Sequence, residues 1–312
     1  GSTPCAARAR RANHLLRAVH HAPSSGGKGS AVLFLGDVID NRRPGVAGND
    51  HGYGICAYAD SVERVVETVS RLCMQSPRGA VTWLIGNHDL WPLLQSCREC
   101  PKYAPHHQCA SDGSYSREFR RTLIDSLIAA RAQAVVVANG VLCCHGGLNA
   151  RFVQEAIRRT PEAPVDSGSA RKLMLQTINR EFDGLLTQVS ATPEARLPIG
   201  SEQNRFAWCL RPDSPLWCRP QTDPGGFDAL FQPSTYPPAW SSLAEGLAQF
   251  AYACAHTMQP NGVAVACSSC HASPKTVVQQ VERPLRPGEI VYVDTGASRG
   301  FGREGRIIQA TR

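Results

Sequence analysis

Residues 31–40 read AVLFLGDVID, an apolar run that ends in a Gly-Asp pair followed by a second Asp. Short apolar runs that end at a turn residue are typical of buried parallel strands. In open α/β sheets, the polar residues that follow the carboxyl ends of such strands form the functional site. The stretch therefore predicts a strand over 31–35 that presents Asp37 and Asp40 to a cleft.

The same pattern of an apolar run followed by polar residues recurs along the chain. The runs at 81–85, 135–144 and 263–267 precede Gly86-Asn87-His88-Asp89, His145-Gly146-Gly147 and Cys270-His271. A further strand is predicted over 289–294. The spacing of apolar residues predicts helices at 5–20, 58–75, 116–131, 151–159 and 170–188. This alternation of strands and helices predicts a layered α/β architecture.

The length and composition of the chain indicate a single globular unit. With 312 residues, 42% of them apolar, the chain can bury a full core. We expect one domain over 1–312, interrupted by irregular insertions near 97–116 and 190–240. Long irregular segments in compact domains are usually functional loops or lids, and we expect the Pro-rich second insertion to be a packed loop.

The charge distribution gives little support to two classes of partner. The formal net charge of +7 comes mainly from arginines scattered along the chain. No block of about five or six like charges is present, so no nucleic-acid partner is predicted. No segment approaches the roughly 18–20 apolar residues of a membrane span. The sequence gives no indication of oligomeric state.

The placement of the cysteines bears on the cellular compartment. Of thirteen cysteines, Cys143, Cys144, Cys267 and Cys270 lie in or beside apolar runs, where free Cys behaves as a small hydrophobic residue. We therefore expect the cytoplasm or another reducing compartment. Gly1-Ser2 resembles a cloning remnant, so the sequence carries no information on an N-terminal targeting signal.

A second group of cysteines lies in the loop after the Gly-Asn-His cluster. Cys97, Cys100 and Cys109 are interleaved there with His106 and His107. Such spacing can enclose a structural zinc ion. A disulfide between two of the cysteines and an unconstrained surface loop are the alternatives, and the spacing does not decide among the three.

The polar clusters carry the ligand types that phosphoester hydrolysis by two metal ions needs. Oxygen and imidazole ligands must converge from several strand ends, with one carboxylate that bridges the two ions. The expected ligands are the bridging Asp37 together with Asn87, His145 and His271. His88 is expected to protonate the leaving oxygen as a general acid, with Asp40 orienting its ring.

These clusters resemble the phosphoprotein phosphatase branch of the calcineurin-like metallophosphoesterases. That family reads Gly-Asp-x-His-Gly, Gly-Asp-x-x-Asp-Arg-Gly, Gly-Asn-His-Glu, His-Gly-Gly and Gly-His in order along the chain, and the resemblance covers about residues 31–300. It implies an α/β fold of two β-sheets packed as a sandwich and flanked by helices. It also implies two metal ions, of manganese, iron or zinc, and a phosphorylated protein as the substrate, with Ser/Thr and Tyr both open.

Two stretches resemble the bacterial-type, Shewanella-like protein phosphatases within that family. Pro215-Leu216-Trp217-Cys218-Arg219 is similar to their Pro-Leu-Trp-Tyr-Arg stretch, and VDTGAS at 293–298 is similar to their closing Asp-x-Gly-x-Ser strand. The first similarity implies that Arg219 binds the phosphate group as a bidentate clamp.

The chain departs from the family pattern at three places. The first Asp-x-His motif is not present before Asp37, which leaves one metal site incomplete unless that motif precedes the sequence given. Asn41 stands where the family has a phosphate-binding Arg, so Arg42 or Arg43 is expected to take that part. Cys270 replaces the Gly before the last His.

The sequence therefore predicts a metal-dependent phosphomonoester hydrolase, with a phosphoprotein as the favoured substrate. Two alternatives stay open. Asp89, where protein phosphatases have Glu, resembles the diadenosine tetraphosphate hydrolases and favours a dinucleoside polyphosphate hydrolase. The missing first motif favours a pseudophosphatase that binds phosphorylated partners without turnover.

Overall fold

The computed structural model of the chain describes residues 32–38, 56–77, 79–90, 93, 117–191, 204–255, 263–267, 276–278 and 285–292. Its strands are β1 (Val32–Phe34), β2 (Val81–Trp83), β3 (Val135–Ala138), β4 (Val141–Cys144), β5 (Ala251–Cys254), β6 (Val263–Cys267), β7 (Thr276–Val278) and β8 (Glu289–Tyr292). Its α-helices are α1 (Cys56–Gln75), α2 (Asn87–Leu90), α3 (Arg117–Ala129), α4 (Ala150–Arg158), α5 (Ser167–Ala191), α6 (Pro224–Asp228) and α7 (Leu243–Ala248).

Part of what the sequence predicts falls outside these ranges. The helix over 5–20 and the loop with Cys97, Cys100 and Cys109 are not among the described residues. The same holds for four of the expected site residues, Asp40, Arg42, Arg43 and His271.

The described strands form a two-stranded sheet and a six-stranded sheet. β1 and β2 pair in parallel, and the larger sheet has the order β3-β4-β5-β8-β6-β7. Its central strands β4, β5 and β8 are parallel, whereas its outer pairs are antiparallel. A parallel bridge between Leu84 and Gln133 joins the end of β2 to the chain just before β3. The predicted α/β architecture with two sheets and flanking helices is confirmed.

Side chains along the strands alternate between two apolar clusters, as the two-residue period of a strand requires. The larger cluster also contains the apolar side chains of the helices, and its strand members include Phe34, Trp83, Leu142, Tyr252 and Tyr292. The smaller cluster lies on the other face and includes Leu33, Leu84, Cys143, Ala253 and Val291. Both faces are apolar, which explains why these strands read as continuous apolar runs.

The long helices form where the apolar spacing predicts them. The ranges 58–75, 116–131, 151–159 and 170–188 correspond to α1, α3, α4 and α5. α1 packs against α3, and Ser70 Oγ donates a hydrogen bond of 3.1 Å to the Ser126 carbonyl oxygen between them. Within the described parts of the chain, no helix combines the length and apolarity needed to cross a bilayer.

The prediction of one strand over 135–144 is wrong, because this run folds into a hairpin. β3 and β4 pair antiparallel, with Val135 opposite Cys144. Asn139 and Gly140 connect them with φ values of 51° and 76°. Positive φ at both central residues is typical of the two-residue turn that Asn-Gly favours. The dipeptide carried this signal in the sequence.

The described part of the Pro-rich span packs into the core. This part, from residue 204 to 240, contains α6 and short 3-10 turns at Ala207–Leu210, Ala229–Phe231, Pro233–Thr235 and Pro238–Trp240. Trp208 is buried and stacks on Phe152 of α4, with 4.5 Å between the ring centroids. Leu216, Phe227 and Leu230 are fully buried. This span is therefore part of the hydrophobic core.

Asn179 ties α5 to the start of β3. Its Oδ1 accepts hydrogen bonds from the backbone N–H groups of Ala134 and Val135, at 3.0 and 3.2 Å. Its Nδ2 donates to the Val135 carbonyl oxygen at 2.9 Å. Because Val135 pairs with Cys144, this side chain fixes the strand that runs beside the end of β4.

The substitution Asn179→Ala should lower the free energy of unfolding by about 2–3 kcal/mol, because two backbone N–H groups lose their acceptor. Gln176 is exposed on the same helix and offers a matched control. Gln176→Ala should change the free energy by less than about 0.5 kcal/mol. Urea unfolding followed by circular dichroism measures both, and equal losses in the two variants would contradict this assignment.

Candidate active site

The backbone reverses sharply at the end of β1. Gly36 and Asp37 both have positive φ, at 84° and 54°. Glycine adopts this region freely, and Asp is among the few other residues that tolerate it. The reversal turns the Asp37 carboxylate away from the direction of the strand and toward the ends of β2 and β4.

A close backbone contact brings the end of β1 against the end of β2. A Cβ atom on Gly36 would lie 2.6 Å from Gly86 Cα and 2.7 Å from His145 Nδ1. A Cβ atom on Gly86 would lie 2.2 Å from Asp37 N and 2.3 Å from Asp37 Oδ1. Neither position has room for a side chain, so the two glycines of the Gly-Asp and Gly-Asn-His clusters are needed sterically.

Three of the expected metal ligands converge at this contact. His145 Nε2 lies 2.9 Å from Asn87 Oδ1 and 3.2 Å from Asp37 Oδ1. Asn87 and His145 are each only 1% exposed, and the Asp37 side chain is 17% exposed. β1 supplies the carboxylate, α2 the amide and the end of β4 the imidazole. The fourth expected ligand, His271, is outside the described residues.

The His145 ring is oriented by a backbone carbonyl group. Its Nδ1 lies 2.6 Å from the Leu35 carbonyl oxygen, which can only accept, so Nδ1 carries a proton. In the neutral ring the lone pair is therefore on Nε2, which faces Asp37 and Asn87. A hydrogen bond from the remote ring nitrogen to a carbonyl group is the usual way in which proteins orient a metal-binding imidazole.

The same surroundings favour the protonated ring when no metal is bound. Burial by itself lowers the pKa of His145, but the charge and hydrogen bond of Asp37 and the Leu35 carbonyl group outweigh it and raise the pKa to about 9. At neutral pH a metal ion would have to displace the Nε2 proton, because imidazole binds metals in its neutral form.

The donor set fits a divalent metal ion. Adjacent ligand atoms of an octahedral ion with bond lengths near 2.1 Å are about 3 Å apart, and the distances from His145 Nε2 to Asn87 and Asp37 are 2.9 and 3.2 Å. Mixed carboxylate, amide and imidazole ligation suits manganese, iron and zinc. Among the described residues, no group of three His, Cys, Asp or Glu side chains gathers, so an amide oxygen completes this set.

His88, the expected general acid, lies beside the carboxylate. Its backbone N–H donates to Asp37 Oδ1 at 2.9 Å, and its Nε2 is 3.9 Å from Asp37 Oδ2. The residue is 7% exposed, so the ring has limited contact with solvent. The predicted pairing of this ring with Asp40 stays a prediction, since Asp40 is outside the described residues.

Asp89 lies beneath the site and supports its backbone. Its Oδ2 accepts hydrogen bonds from Gly86 N at 2.9 Å and from Trp83 Nε1 at 3.3 Å. The residue is 0% exposed. Burial raises the pKa of Asp89 to about 6, with a further contribution from the Asp37 carboxylate. Asp89 therefore holds the turn that presents Asn87.

The His-Gly-Gly turn packs against the stretch that carries Arg219. Gly146 N donates to the Pro215 carbonyl oxygen at 2.6 Å, and a Cβ atom on Gly146 would lie 2.7 Å from the Cys218 carbonyl oxygen. A Cβ atom on Gly147 would lie 2.6 Å from the Pro220 ring. Arg219 is exposed and follows this contact directly. The predicted phosphate-binding residue thus lies on a turn adjoining the His145 turn.

Two residues that sequence reasoning did not single out join these turns. Asn149 Nδ2 donates a hydrogen bond of 2.7 Å to Asp223 Oδ2. Asn149 also caps α4, since its Oδ1 accepts from Arg151 N at 2.9 Å. An Asn directly before a predicted helix is a recognisable capping signal in sequence. Nothing in the sequence indicates its bond to Asp223.

Residues 8–217 match the family described as calcineurin-like phosphoesterase, and the chain belongs to that family. Phosphoester hydrolysis is the reaction class that this membership supports, and divalent metals are general to the family.

Two solved structures are similar to the chain. One is a cold-active protein-tyrosine phosphatase of a psychrophile, Shewanella sp., with 14% identity and a TM-score of 0.48 over 96% of this chain and 70% of that chain. The other is described as a cold-active protein tyrosine phosphatase, with 15% identity and a TM-score of 0.46 over 96% and 69% of the two chains. No curated protein is similar enough in sequence to match.

The pKa of Asp89 gives a pH dependence of stability in the metal-free protein. The pKa of Asp89 is about 6 in the folded state, above the ordinary value of 3.8. Between these two pH values the folded state binds more protons than the unfolded state, so the free energy of unfolding falls as the pH rises through 6. In Asp89→Asn an oxygen can still accept from Gly86 and Trp83, but the charge is absent. The stability of the variant relative to wild type should rise by up to about 3 kcal/mol across this window.

Urea unfolding of both proteins in chelator, from pH 4 to pH 8, measures that difference. Groups whose titration the substitution leaves unchanged contribute equally to the unfolding free energies of both proteins, so their contributions cancel in the difference. A difference that does not vary with pH would show that the Asp89 carboxylate titrates normally.

Proposed function

We propose that the chain is a metal-dependent phosphomonoesterase that acts on phosphorylated proteins. The observation that supports this proposal is the convergence of Asp37, Asn87 and His145 at the ends of β1, β2 and β4, where His145 Nε2 lies 2.9 Å from Asn87 Oδ1 and 3.2 Å from Asp37 Oδ1. The turn with Arg219 packs directly against the residues that follow His145. The proposed metal ligand His145 and the proposed phosphate-binding residue Arg219 therefore lie on adjoining turns.

The metal ligands proposed are Asp37, Asn87 and His145, with His271 as the fourth. Manganese, iron or zinc suits these ligands, and the family pattern has two ions. When bound, such ions supply Lewis acidity to the phosphoryl group and lower the pKa of attacking water. The Leu35 carbonyl group contributes by holding the His145 tautomer whose lone pair is on Nε2.

The remaining residues are proposed to bind the phosphate group and move a proton. Arg219 offers two parallel N–H donors to phosphate oxygens, and Arg42 or Arg43 is proposed to hold the same group from the other side. His88 gives a proton to the leaving oxygen. Its position, with Nε2 3.9 Å from Asp37 Oδ2, keeps the ring beside the ligand carboxylate.

The environment of Asp89 bears on the choice of substrate. The resemblance to dinucleoside polyphosphate hydrolases depends on this residue, but its carboxylate is fully buried and bonded to Gly86 and Trp83. It is therefore not available to contact a substrate, and its identity does not favour a dinucleotide. The Pro215–Arg219 stretch is packed beside the site, which supports a phosphoprotein as the substrate.

Turnover of a phosphopeptide and of diadenosine tetraphosphate tests the reaction class directly. After chelation and addition of Mn²⁺, wild type should hydrolyse the phosphopeptide, and His145→Ala should lose at least about a hundredfold in kcat/KM, since a ligand is removed. Gln176→Ala is the control and should retain activity. Exclusive cleavage of diadenosine tetraphosphate would overturn the substrate, and phosphopeptide binding without turnover would indicate a pseudophosphatase.

The role of His88 predicts a dependence on the leaving group. p-Nitrophenolate leaves without help, whereas a serine alkoxide must be protonated as the bond breaks. His88→Ala should therefore lower kcat on a phosphoserine peptide by about a hundredfold or more, and on p-nitrophenyl phosphate much less. Equal losses on both substrates would show that His88 acts otherwise than as the acid.

A further inference from the structure

We propose that Asn149 and Asp223 are a positioning pair that fixes the Arg219 turn relative to the His145 turn, so that the Arg219 guanidinium meets the phosphate group. This inference rests on the proposed function, since it assigns phosphate binding to Arg219. It deepens that function by naming the residues that determine where this arginine lies.

Asn149 is fixed on the side of the metal ligands. It follows His145 by four positions, and it is only 1% exposed. Its Oδ1 caps α4 by accepting from Arg151 N, which orients the amide so that Nδ2 points away from the helix. That Nδ2 donates to Asp223 Oδ2 at 2.7 Å. Hydrogen bonds to a carboxylate are shorter and stronger than neutral ones.

Asp223 transmits this contact to Arg219 through the backbone. Its N–H donates to the Arg219 carbonyl oxygen at 3.0 Å, and Thr222 N donates to the same oxygen at 2.9 Å. Its Oδ1 accepts from Gly226 N at 3.1 Å and caps α6. The Asp223 carboxylate therefore joins Asn149 to a closed turn whose first residue is Arg219.

The start of α6 packs closely against the hydrogen bond between Asn149 and Asp223. A Cβ atom on Gly226 would lie 2.1 Å from Asn149 Nδ2, so the start of α6 approaches the amide as closely as a backbone can. The contacts of Gly146 and Gly147 with Cys218 and Pro220 hold the same turn from its other end. The Arg219 turn is thus held at two points.

The side chain of Arg219 depends on this support. It is exposed, and its guanidinium makes no hydrogen bond or ion pair with the described part of the chain. The position of the Arg219 guanidinium is therefore determined by the backbone of the turn rather than by side chains that bind the guanidinium. A bidentate contact with phosphate is sensitive to small errors of placement, so loss of the Asn149–Asp223 bond should weaken phosphate binding.

An exchange of the two side chains tests the pair. In Asn149→Asp the two carboxylates face each other, and in Asp223→Asn two amides compete for the same bonds. In the double variant, the carboxylate introduced at position 149 can accept from Arg151 N and from the amide introduced at position 223. The oxygen of that amide can accept from Gly226 N. The three hydrogen bonds that join Asn149, Asp223 and the starts of α4 and α6 are thus kept, with the direction of the bond between positions 149 and 223 reversed.

Inorganic phosphate titrated calorimetrically into the Mn²⁺-loaded protein is the main readout. Each single variant should raise the Kd for phosphate by about tenfold, the effect of one lost hydrogen bond to a charged group, and the double variant should bring it back to within about threefold of wild type. On a phosphopeptide the same changes should raise KM more than they lower kcat. The affinity for Mn²⁺ should be unchanged.

Two controls separate positioning from a general loss of stability. Gln154 of α4 bonds to the Thr235 carbonyl oxygen at 2.6 Å, away from the Arg219 turn, and Gln154→Ala should leave phosphate affinity unchanged. In an Arg219→Ala background the Asn149→Asp change should have no further effect on phosphate affinity. A full additional loss there, or single variants that bind phosphate like wild type, would overturn the inference.

Failure of the proposed function would give results different from failure of the positioning pair alone. Wild type that neither binds phosphate nor hydrolyses any phosphoester would overturn the function and the pair together. Wild type that does both, with phosphate affinity unaffected by Asn149→Asp and Asp223→Asn, would overturn the pair alone.

Discussion

The contact between Gly36 and Gly86 is the constraint on which the candidate site depends. The backbone atoms at the ends of β1 and β2 approach so closely that neither residue can carry a Cβ atom without displacing Asp37 or His145. Only this approach lets a carboxylate from one strand, an amide from the next and an imidazole from β4 reach one point. The apolar clusters on the two faces of the sheets hold the strand ends at that separation.

Neighbouring charges, hydrogen bonds and burial together determine the protonation states at this point. In the metal-free protein the His145 pKa of about 9 places a proton, and a positive charge, against the Asp37 carboxylate. The imidazolium thus offsets the carboxylate in the position where a metal ion would otherwise do so. At Asp89 burial has the largest effect. It disfavours the negative charge of this carboxylate beneath the site and raises its pKa to about 6.

The sequence predicted the elements better than their connections. Apolar runs indicated β1, β2 and β6, and the polar clusters after these runs indicated Asp37, Asn87 and His145. Both signals are local, because an apolar run and the polar residues at its end are adjacent in the sequence. The hairpin within 135–144 was missed, although Asn139-Gly140 marks it. The role of Asp89 and the bond between Asn149 and Asp223 depend on contacts between distant segments, which one sequence does not record.

The site also spans the two sheets. Asp37 follows β1 of the small sheet, whereas His145 follows β4 of the large one, and the bridge from Leu84 to Gln133 is a short link between the two sheets. An ion held by both residues would act as a second cross-link between the two sheets, and its binding energy would add to the stability of the folded state. The two-stranded sheet, too small to be stable alone, would gain most from that linkage.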